Sequence, residues 1–529
     1  MKDHAGTTVP LWTRKTSTPS GSPLTKDVHA DVCVVGAGIA GLSTAYFLVR
    51  EGRSVVLVDD GRPSSGQTAR TTAHLANAID DRIQHVERLR GTEGARLAVQ
   101  SHGEAIDCIE RLCAEERIEA DFRRLDSYLF LGENDSAELL EEEFGAALRA
   151  GLRDVELLSN APFGTVDTGV ALRFPRQGRV HPVRYMAGLA EAYLRRGGRF
   201  FSHTHVTEVD GSAPTEVHTA EGPTIRAGAV VVATNAPITN RFALQTKMHP
   251  YLTYAIAFRA EPGCLTDALF WDTEDPYHYV RLHEDPSGIF VIVGGEDHRM
   301  GQASDFDERY RRLEAWSRAR IARLGPVAFQ WSGQVYETLD GLGFIGPNPL
   351  DVHNVYVATG DSGMGMTHGT LAGRLLCDQI QGRESPWAWL YAPSRKTFGA
   401  MTDYVLENAN LALQYGDYFT PGDVKSVGEI APGDGAIVRR GLTKIAAYRD
   451  ETGILHECHA VCPHLGGLVR WNSGEKTWDC PVHGSRFAAT GRCIQGPAAS
   501  GLAPLAAEKE TAATAASAHS PRGDRRQSA

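Results

Sequence analysis

Near the C-terminal end of the sequence, Cys462 and His464 form a C-x-H pair, and fifteen residues later Cys480 and His483 form C-x-x-H. Thiolate and imidazole are ligands for soft and borderline metals, and two short loops that each supply one of each can converge on a single centre. Two chemistries compete for such a set. A [2Fe–2S] cluster can take two cysteines on one iron and two histidines on the other, and it moves electrons one at a time. Zinc takes the same donors tetrahedrally, but its common modules pair Cys with Cys across about two to four residues and His with His across about three to five. Here each pair mixes Cys with His, which favours the cluster. Cys458 and Cys493 fall outside the ligand spacing and are expected to be structural. Cys33, Cys108, Cys113, Cys264 and Cys377 are scattered and read as small apolar fillers.

A second chemical stretch lies near the other end. Residues 31–35 read DVCVV, an apolar run suited to a buried parallel strand, and Gly36-Ala37-Gly38-Ile39-Ala40-Gly41 follows at once, before a helical stretch through Leu48. A further apolar run, residues 54–58, ends in Asp59. This order suits a dinucleotide. Gly36 permits the tight turn, Gly38 lets backbone approach a pyrophosphate, Gly41 lets the helix pack closely, and Asp59 can accept hydrogen bonds from the adenosine ribose. Gly341–Gly346 (GLGFIG) repeats the spacing, but Pro347 and Pro349 forbid a helix start and no apolar strand is expected before it, so it is not read as a nucleotide site. The fingerprint alone leaves NAD and FAD open.

Three later segments bear on that choice: Ser65–His74 (SGQTARTTAH), Val230–Pro237 (VVVATNAP) and Val355–Gly373 (VYVATGDSGMGMTHGTLAG). With Trp271-Asp272-Thr273, Tyr277–Arg281 and Gly294–His298, they resemble the amine and amino-acid oxidase superfamily that includes D-amino-acid, glycine and sarcosine oxidases, over about Asp31 to Arg395. The resemblance implies FAD, with contacts expected from Gly66, Gln67, Thr68, Val206, Ala233, Thr234, Gly360, Asp361, Gly363, Gly365 and Met366. It also implies that the loop 360–366 passes the flavin ring and that the next helix starts at its pyrimidine end, where N–H groups stabilise the charge of the reduced ring. Asp361 replaces a commonly aromatic residue. The resemblance puts Tyr277, His278, Tyr279 and Arg281 in the substrate layer, where an Arg could clamp a carboxylate and aromatics could box an amine; sheet residues with no such role are the alternative. No catalytic residue is identified. His74 is either a polar loop residue, the favoured reading, or a covalent flavin attachment.

Around the Cys/His pairs, Leu465-Gly466, Gly484-Ser485-Arg486-Phe487 and Gly496-Pro497-Ala498 closely resemble Rieske proteins. Respiratory members carry an extra cysteine in each loop, joined as a disulfide; Gly467 and Val482 stand there instead. Ser485, whose hydroxyl bonds a cluster sulfur in the family, is retained, and Phe487 replaces the tyrosine of high-potential members. Fewer hydrogen bonds to sulfur imply a potential below the respiratory type.

The elements that must position these groups suggest a fold of class α/β + β. It comprises a Rossmann-like FAD domain with an interleaved α+β substrate subdomain, then a small all-β Rieske domain. The expected organisation is an extension (1–28), a discontinuous flavin domain (29–400) with substrate segments near 84–178 and 241–337, a connection (401–422), the Rieske domain (423–506) and a disordered tail (507–529). The chain of 529 residues is long enough for several cores. Its formal charge of −11 argues against a nucleic-acid partner. No apolar run approaches the roughly 18–20 residues of a membrane span, and residues 1–28 contain no signal-like apolar segment, so a cytoplasmic protein is expected. The expected function is oxidation of a C–N bond in an amine or amino acid, with electrons leaving FAD through the cluster. The electron acceptor (protein, quinone or oxygen) is not readable. The alternatives are an NAD(P)H-driven electron-transfer reductase and a redox sensor without turnover.

Overall fold

A computed structural model describes residues 6–505 apart from 15, 212–213, 240–243, 350–353 and 397. The expected disordered tail lies outside the described residues.

The apolar run ending at Val35 forms the strand Val28–Val35, which pairs in parallel with Val55–Val58 on one side and Thr224–Val232 on the other. Val355–Thr359 and Arg199–Phe201 extend this sheet in parallel beyond these two strands. The helix Ile39–Arg50 packs on the sheet beside the helix Gly365–Ile380. Their approach needs glycine: a Cβ on Gly373 would stand 2.6 Å from Ser43 Cβ, and one on Gly41 would enter the Gly36 carbonyl. The second glycine repeat lies in a loop and the short antiparallel strand Phe344–Pro347, with no helix directly after it among the described residues. A long strand, Leu324–Thr338, comes shortly before it, but it carries alternating polar positions and is not an apolar run.

A nine-stranded, mostly antiparallel sheet covers the nucleotide unit. Its path runs Leu324–Thr338, Met248–Ala260, Gly288–Arg299, His278–Asp285, Leu269–Asp272, Arg123–Phe130, Ala171–Arg179 and His74–Leu75, and Glu156–Leu158 pairs at the side. Most of its strands lie within residues 84–178 and 241–337, and His74–Leu75 lies outside both. The C-terminal unit is all-β, with a three-stranded sheet over Asp434–His459 and a four-stranded sheet over Arg470–Gln495. The helix Met401–Gln414 and a following turn lead into it, and Tyr415 and Tyr418 donate their hydroxyls to the Leu465 and Gly466 carbonyls.

The N-terminal segment joins the two units. Trp12 is fully buried and donates its indole N–H to the Thr71 carbonyl, 2.7 Å away. Thr8 donates its backbone N–H to Glu475 of the all-β unit at 3.0 Å. Arg70 of the nucleotide unit pairs with the same carboxylate at 2.9 Å, and both side chains are 2% exposed. No helix among the described residues is long and apolar enough to cross a membrane.

Candidate active site and cluster site

The glycine turn, the loop after Asp59, the ends of the parallel strands and one face of the large sheet surround a cleft of about 2150 Å³, its open mouth included. All the residues expected at FAD line this cleft except Gly41, which serves packing as its place in the motif requires. At φ +104, Gly36 takes a conformation L side chains rarely adopt, with the Ala233 carbonyl against it. Thr68 accepts the Ile39 N–H at 3.1 Å, at the start of the first helix. Asp59 accepts the N–H groups of Ala37 (2.6 Å) and Gly61 (2.7 Å), which stitch the acidic strand end to the glycine turn. Burial and the neighbouring Asp60 push its carboxyl up to about 7. A long cleft with this bare backbone cradle at a helix N-terminus fits a dinucleotide.

At the other end, Trp271, Tyr277, Tyr279, Thr253 and Asp297 face the cleft from the large sheet, with Asp80 and the loop at Asp361–Gly365 nearby. Tyr277 donates its hydroxyl to Asp80 at 3.0 Å, and the Tyr277 and Tyr279 rings stand 5.4 Å apart. Gly363 has room for no side chain because the Asp80 carboxylate occupies that space. Burial pushes Asp297 up to about 7 and Asp361 up to about 6.

Two residues expected in the substrate layer are elsewhere. Arg281 does not line the cleft: it is buried, donates to the carbonyls of Thr72, Ala73 and Val180, and lies over Trp12. His278 also stands outside the lining, bonded through Nδ1 to Asp272 at 2.9 Å and stacked on Trp316. The alternation of a strand accounts for His278, which points to the face opposite Tyr277 and Tyr279; Arg281 shares the face of the two tyrosines and is drawn instead to the Thr72, Ala73 and Val180 carbonyls. His74 lines the cleft. Its Nε2 lies 3.3 Å from the Val280 carbonyl and so carries the proton, leaving Nδ1 to accept from the Thr72 hydroxyl at 3.0 Å. Burial and the Arg281 charge lower it to about 3, so the ring is neutral.

In the all-β unit, each of the two Cys/His loops closes on itself in the same way. Cys462 N–H bonds the Gly467 carbonyl and Cys480 N–H the Ser485 carbonyl, both at 2.8 Å. The two thiols interact with each other across the loops, and the His464 and His483 rings meet edge to face at 5.0 Å. Both cysteines and His483 are buried, and burial, followed by the His464 and His249 charges, lowers His483 to about 3, which leaves the imidazole in its ligating form. Two thiols and two imidazoles converging in a buried pocket fit a [2Fe–2S] cluster. Gly467 and Val482 are neighbours across the loops, packed where the resemblance would put a disulfide.

Sequence reading missed the contact between the two sites. Gln334 lines the cleft, donates its backbone N–H to Gln67 at 2.7 Å, and donates its side-chain amide to the Gly484 carbonyl at 2.8 Å. Tyr336, two residues along the same strand face, donates to the His483 carbonyl at 2.9 Å. Gln67 also bonds Gln495 at 2.8 Å, and Cys493, Ile494, Gln495, Gly496 and Ala498 form part of the cleft wall. The one available signal was the alternation of polar residues in Gln330–Thr338.

Comparison with known proteins agrees with this architecture. The FAD dependent oxidoreductase family (DAO) matches residues 31–379, and the Rieske [2Fe-2S] domain matches residues 420–506. The Bacillus subtilis protein YhfW, described as a Rieske 2Fe-2S iron-sulfur protein, is 30% identical over 92% of this chain and 95% of its own. The gamma-glutamylputrescine oxidoreductase of Escherichia coli is 29% identical over 68% of this chain and 85% of its own. The crystal structure of glycine oxidase from Geobacillus kaustophilus superposes with a TM-score of 0.60 at 20% identity, covering 70% of this chain and 99% of that one, which shows a shared fold. The chain belongs to the DAO family of FAD-dependent oxidoreductases, with a Rieske domain at its C-terminal side that binds a [2Fe–2S] cluster.

Proposed function

We propose that the protein oxidises a C–N bond of a small amine or amino acid and passes the electrons from FAD through its own Rieske cluster to an external one-electron acceptor. The observation that carries this reading is Gln334, which lines the cleft with one side of its strand and holds the second cluster loop by its side chain. The cleft residues named from the sequence would hold FAD, and Cys462, His464, Cys480 and His483 would hold the cluster. Bound FAD supplies the acceptor for the substrate's hydride equivalent, and the bound cluster takes electrons singly.

The chain's residues account for the rest. Substrate loses two electrons and two protons as an amine becomes an imine, and the imine then hydrolyses. Tyr277 and Tyr279 orient the substrate against the cleft wall, and Tyr277 is itself fixed by Asp80. Neutral His74, held from both nitrogens, stands edge-on to Tyr279 with ring centroids 5.7 Å apart and keeps that wall in place. The polar links Gln67–Gln495, Gln334–Gly484 and Tyr336–His483 keep the cluster loop seated on the flavin domain. The relative that acts on gamma-glutamylputrescine supports an amine in this cleft.

The test is EPR of the anaerobic holoenzyme after mixing with amines, amino acids or NAD(P)H. A reduced Rieske signal elicited by an amine or amino acid is expected. A signal with NAD(P)H alone would replace this reading with that of a reductase.

A further inference from the structure

The end of the cleft under the large sheet is unusual in its balance of charge. Asp80, Asp297 and Asp361 all line it, with the aromatic walls of Trp271, Tyr277 and Tyr279. Asp297 Oδ1 is buried without a hydrogen-bond partner, and Asp80 is held in place by the Tyr277 hydroxyl. Among the described residues that line the cleft, the guanidinium groups are Arg62 and Arg70. Arg62 follows Asp59 at the nucleotide end, and Arg70 is engaged with Glu475 and the carbonyls of Ser332 and Thr8. Arg82, beside Asp80, donates to the carbonyls of Asp80 and Asp272, and Arg281, which is outside the cleft lining, donates to the carbonyls of Thr72, Ala73, Val180 and Leu282. A substrate carboxylate would therefore meet carboxylates and ring faces here, with no cation placed to receive it. A cation would meet both of the surfaces that attract one.

One charge on the substrate does not fit by itself. Oxidation at an amine needs its nitrogen unprotonated, yet an aspartate facing that nitrogen would hold it as ammonium. A molecule with two nitrogens removes the conflict: one is held as a cation, and the other is left free to react.

We infer that the cleft is built for an aliphatic diamine or polyamine, with Asp297 and Asp80 receiving the distal ammonium beside the rings of Tyr277 and Tyr279 while the second amine is oxidised. This rests on the C–N oxidation proposed above. In the reaction the C–H bond next to the reacting nitrogen breaks, its hydrogen and electron pair go to FAD, the nitrogen proton goes to solvent, and the imine hydrolyses to an aldehyde and ammonia.

The experiment measures anaerobic flavin reduction in the holoenzyme with putrescine, butylamine, γ-aminobutyrate and alanine. Binding of a bis-quaternary ammonium analogue, which has no N–H to lose, is measured in parallel by calorimetry. Putrescine should be preferred over butylamine by at least about tenfold in kcat/KM, with γ-aminobutyrate poorer still. The analogue should bind, and D297N should weaken its binding about tenfold and shrink the putrescine preference towards parity. Retention of the flavin spectrum and of the Rieske EPR signal establishes that D297N is folded. Efficient reduction by alanine but not putrescine, or a preference and an analogue affinity untouched by D297N, would overturn the inference and leave C–N oxidation standing. Flavin reduction by none of the four would overturn both.

Discussion

Glu475→Gln tests whether the Rieske domain is locked to the flavin domain. Glu475 sits in a turn of the all-β unit, and its carboxylate collects Arg70 and Ser332 of the nucleotide unit and its sheet, and Thr8 of the N-terminal segment. With both charges 2% exposed, the pair has almost no water to fall back on. Removing one member of a buried pair typically costs about 3–5 kcal/mol, because the remaining charge stays buried without its counterion. Arg70 keeps two carbonyl contacts, so the low end of that range, about 3 kcal/mol, is expected for Glu475→Gln. The double variant Arg70→Leu/Glu475→Leu should be less destabilised than the two single leucine variants together, and a double-mutant cycle on thermal unfolding isolates the coupling. Titration adds a second signature. Burial raises the Glu475 carboxyl, but the charges of Arg70 and Arg486 outweigh it and hold it below its usual value. A lowered carboxyl contributes stability above the ordinary carboxylate range near about pH 4.3, and that contribution is lost as the pH falls through the folded value. Acid should therefore loosen the wild-type interface below about pH 4, and Glu475→Gln should flatten that dependence. A cost under about 1 kcal/mol, with an unchanged acid limb, would refute the lock.

Three further outcomes follow from the same geometry. Ser485 accepts the Ala498 N–H at 3.0 Å, which leaves its own proton free to donate towards the Cys462 thiolate; Ser485→Ala should lower the cluster potential. A charge-assisted hydrogen bond of about 1.5–3 kcal/mol corresponds to roughly 65–130 mV for one electron, read by redox titration of the EPR signal. Gly484→Ala should slow flavin-to-cluster transfer in stopped flow while dithionite still develops the Rieske signal. Gly484 has φ +75, and an added Cβ would stand 2.6 Å from Gln334, Pro250 and Tyr336 together. In a pH profile of kcat/KM with a diamine, activity should rise through about pH 7. Burial raises Asp297, helped by Asp80 and opposed by Thr253, Arg309 and His278, so its carboxyl loses charge below that point; an activity that falls from pH 6 to 8 would count against a role for its carboxylate.

The two cofactor sites were legible because their chemistry is local in sequence. A glycine turn between two strands and a Cys/His pair on each of two loops are short patterns, and folding leaves each pattern intact. The substrate layer was half legible. Tyr277 and Tyr279 reach the cleft, but His278 does not, because which face of a strand points inward depends on register against neighbouring strands. Arg281 shares the tyrosines' face, and its absence from the lining comes from the carbonyls of Thr72, Ala73 and Val180, which only the tertiary fold brings to it. The acidic end of the cleft was not legible at all. Asp80 lies in a loop before a helix, Asp297 on a sheet strand and Asp361 after a parallel strand, and only the tertiary fold brings them together. The N-terminal segment reads as polar, yet Leu11 and Trp12 bury fully, which two apolar residues among many polar ones do not announce.

The placement of Gln334 and Glu475 bears on why the two domains share one chain. A Rieske domain that served several partners in turn would need an interface that opens readily, and such interfaces are small and polar with weak pairings. This one has a buried ion pair at Arg70–Glu475, and a glycine whose backbone is wedged against Pro250 and Tyr336. The strand Leu324–Thr338 contributes Gln334 to the cleft and to the cluster loop at once. The all-β unit also contributes Gln495 and Gly496 to the cleft wall, so the cleft is incomplete without it. Each domain thus finishes the other's site. That arrangement suits an electron transfer that recurs in one geometry on every turnover, with the external acceptor left to come to the cluster.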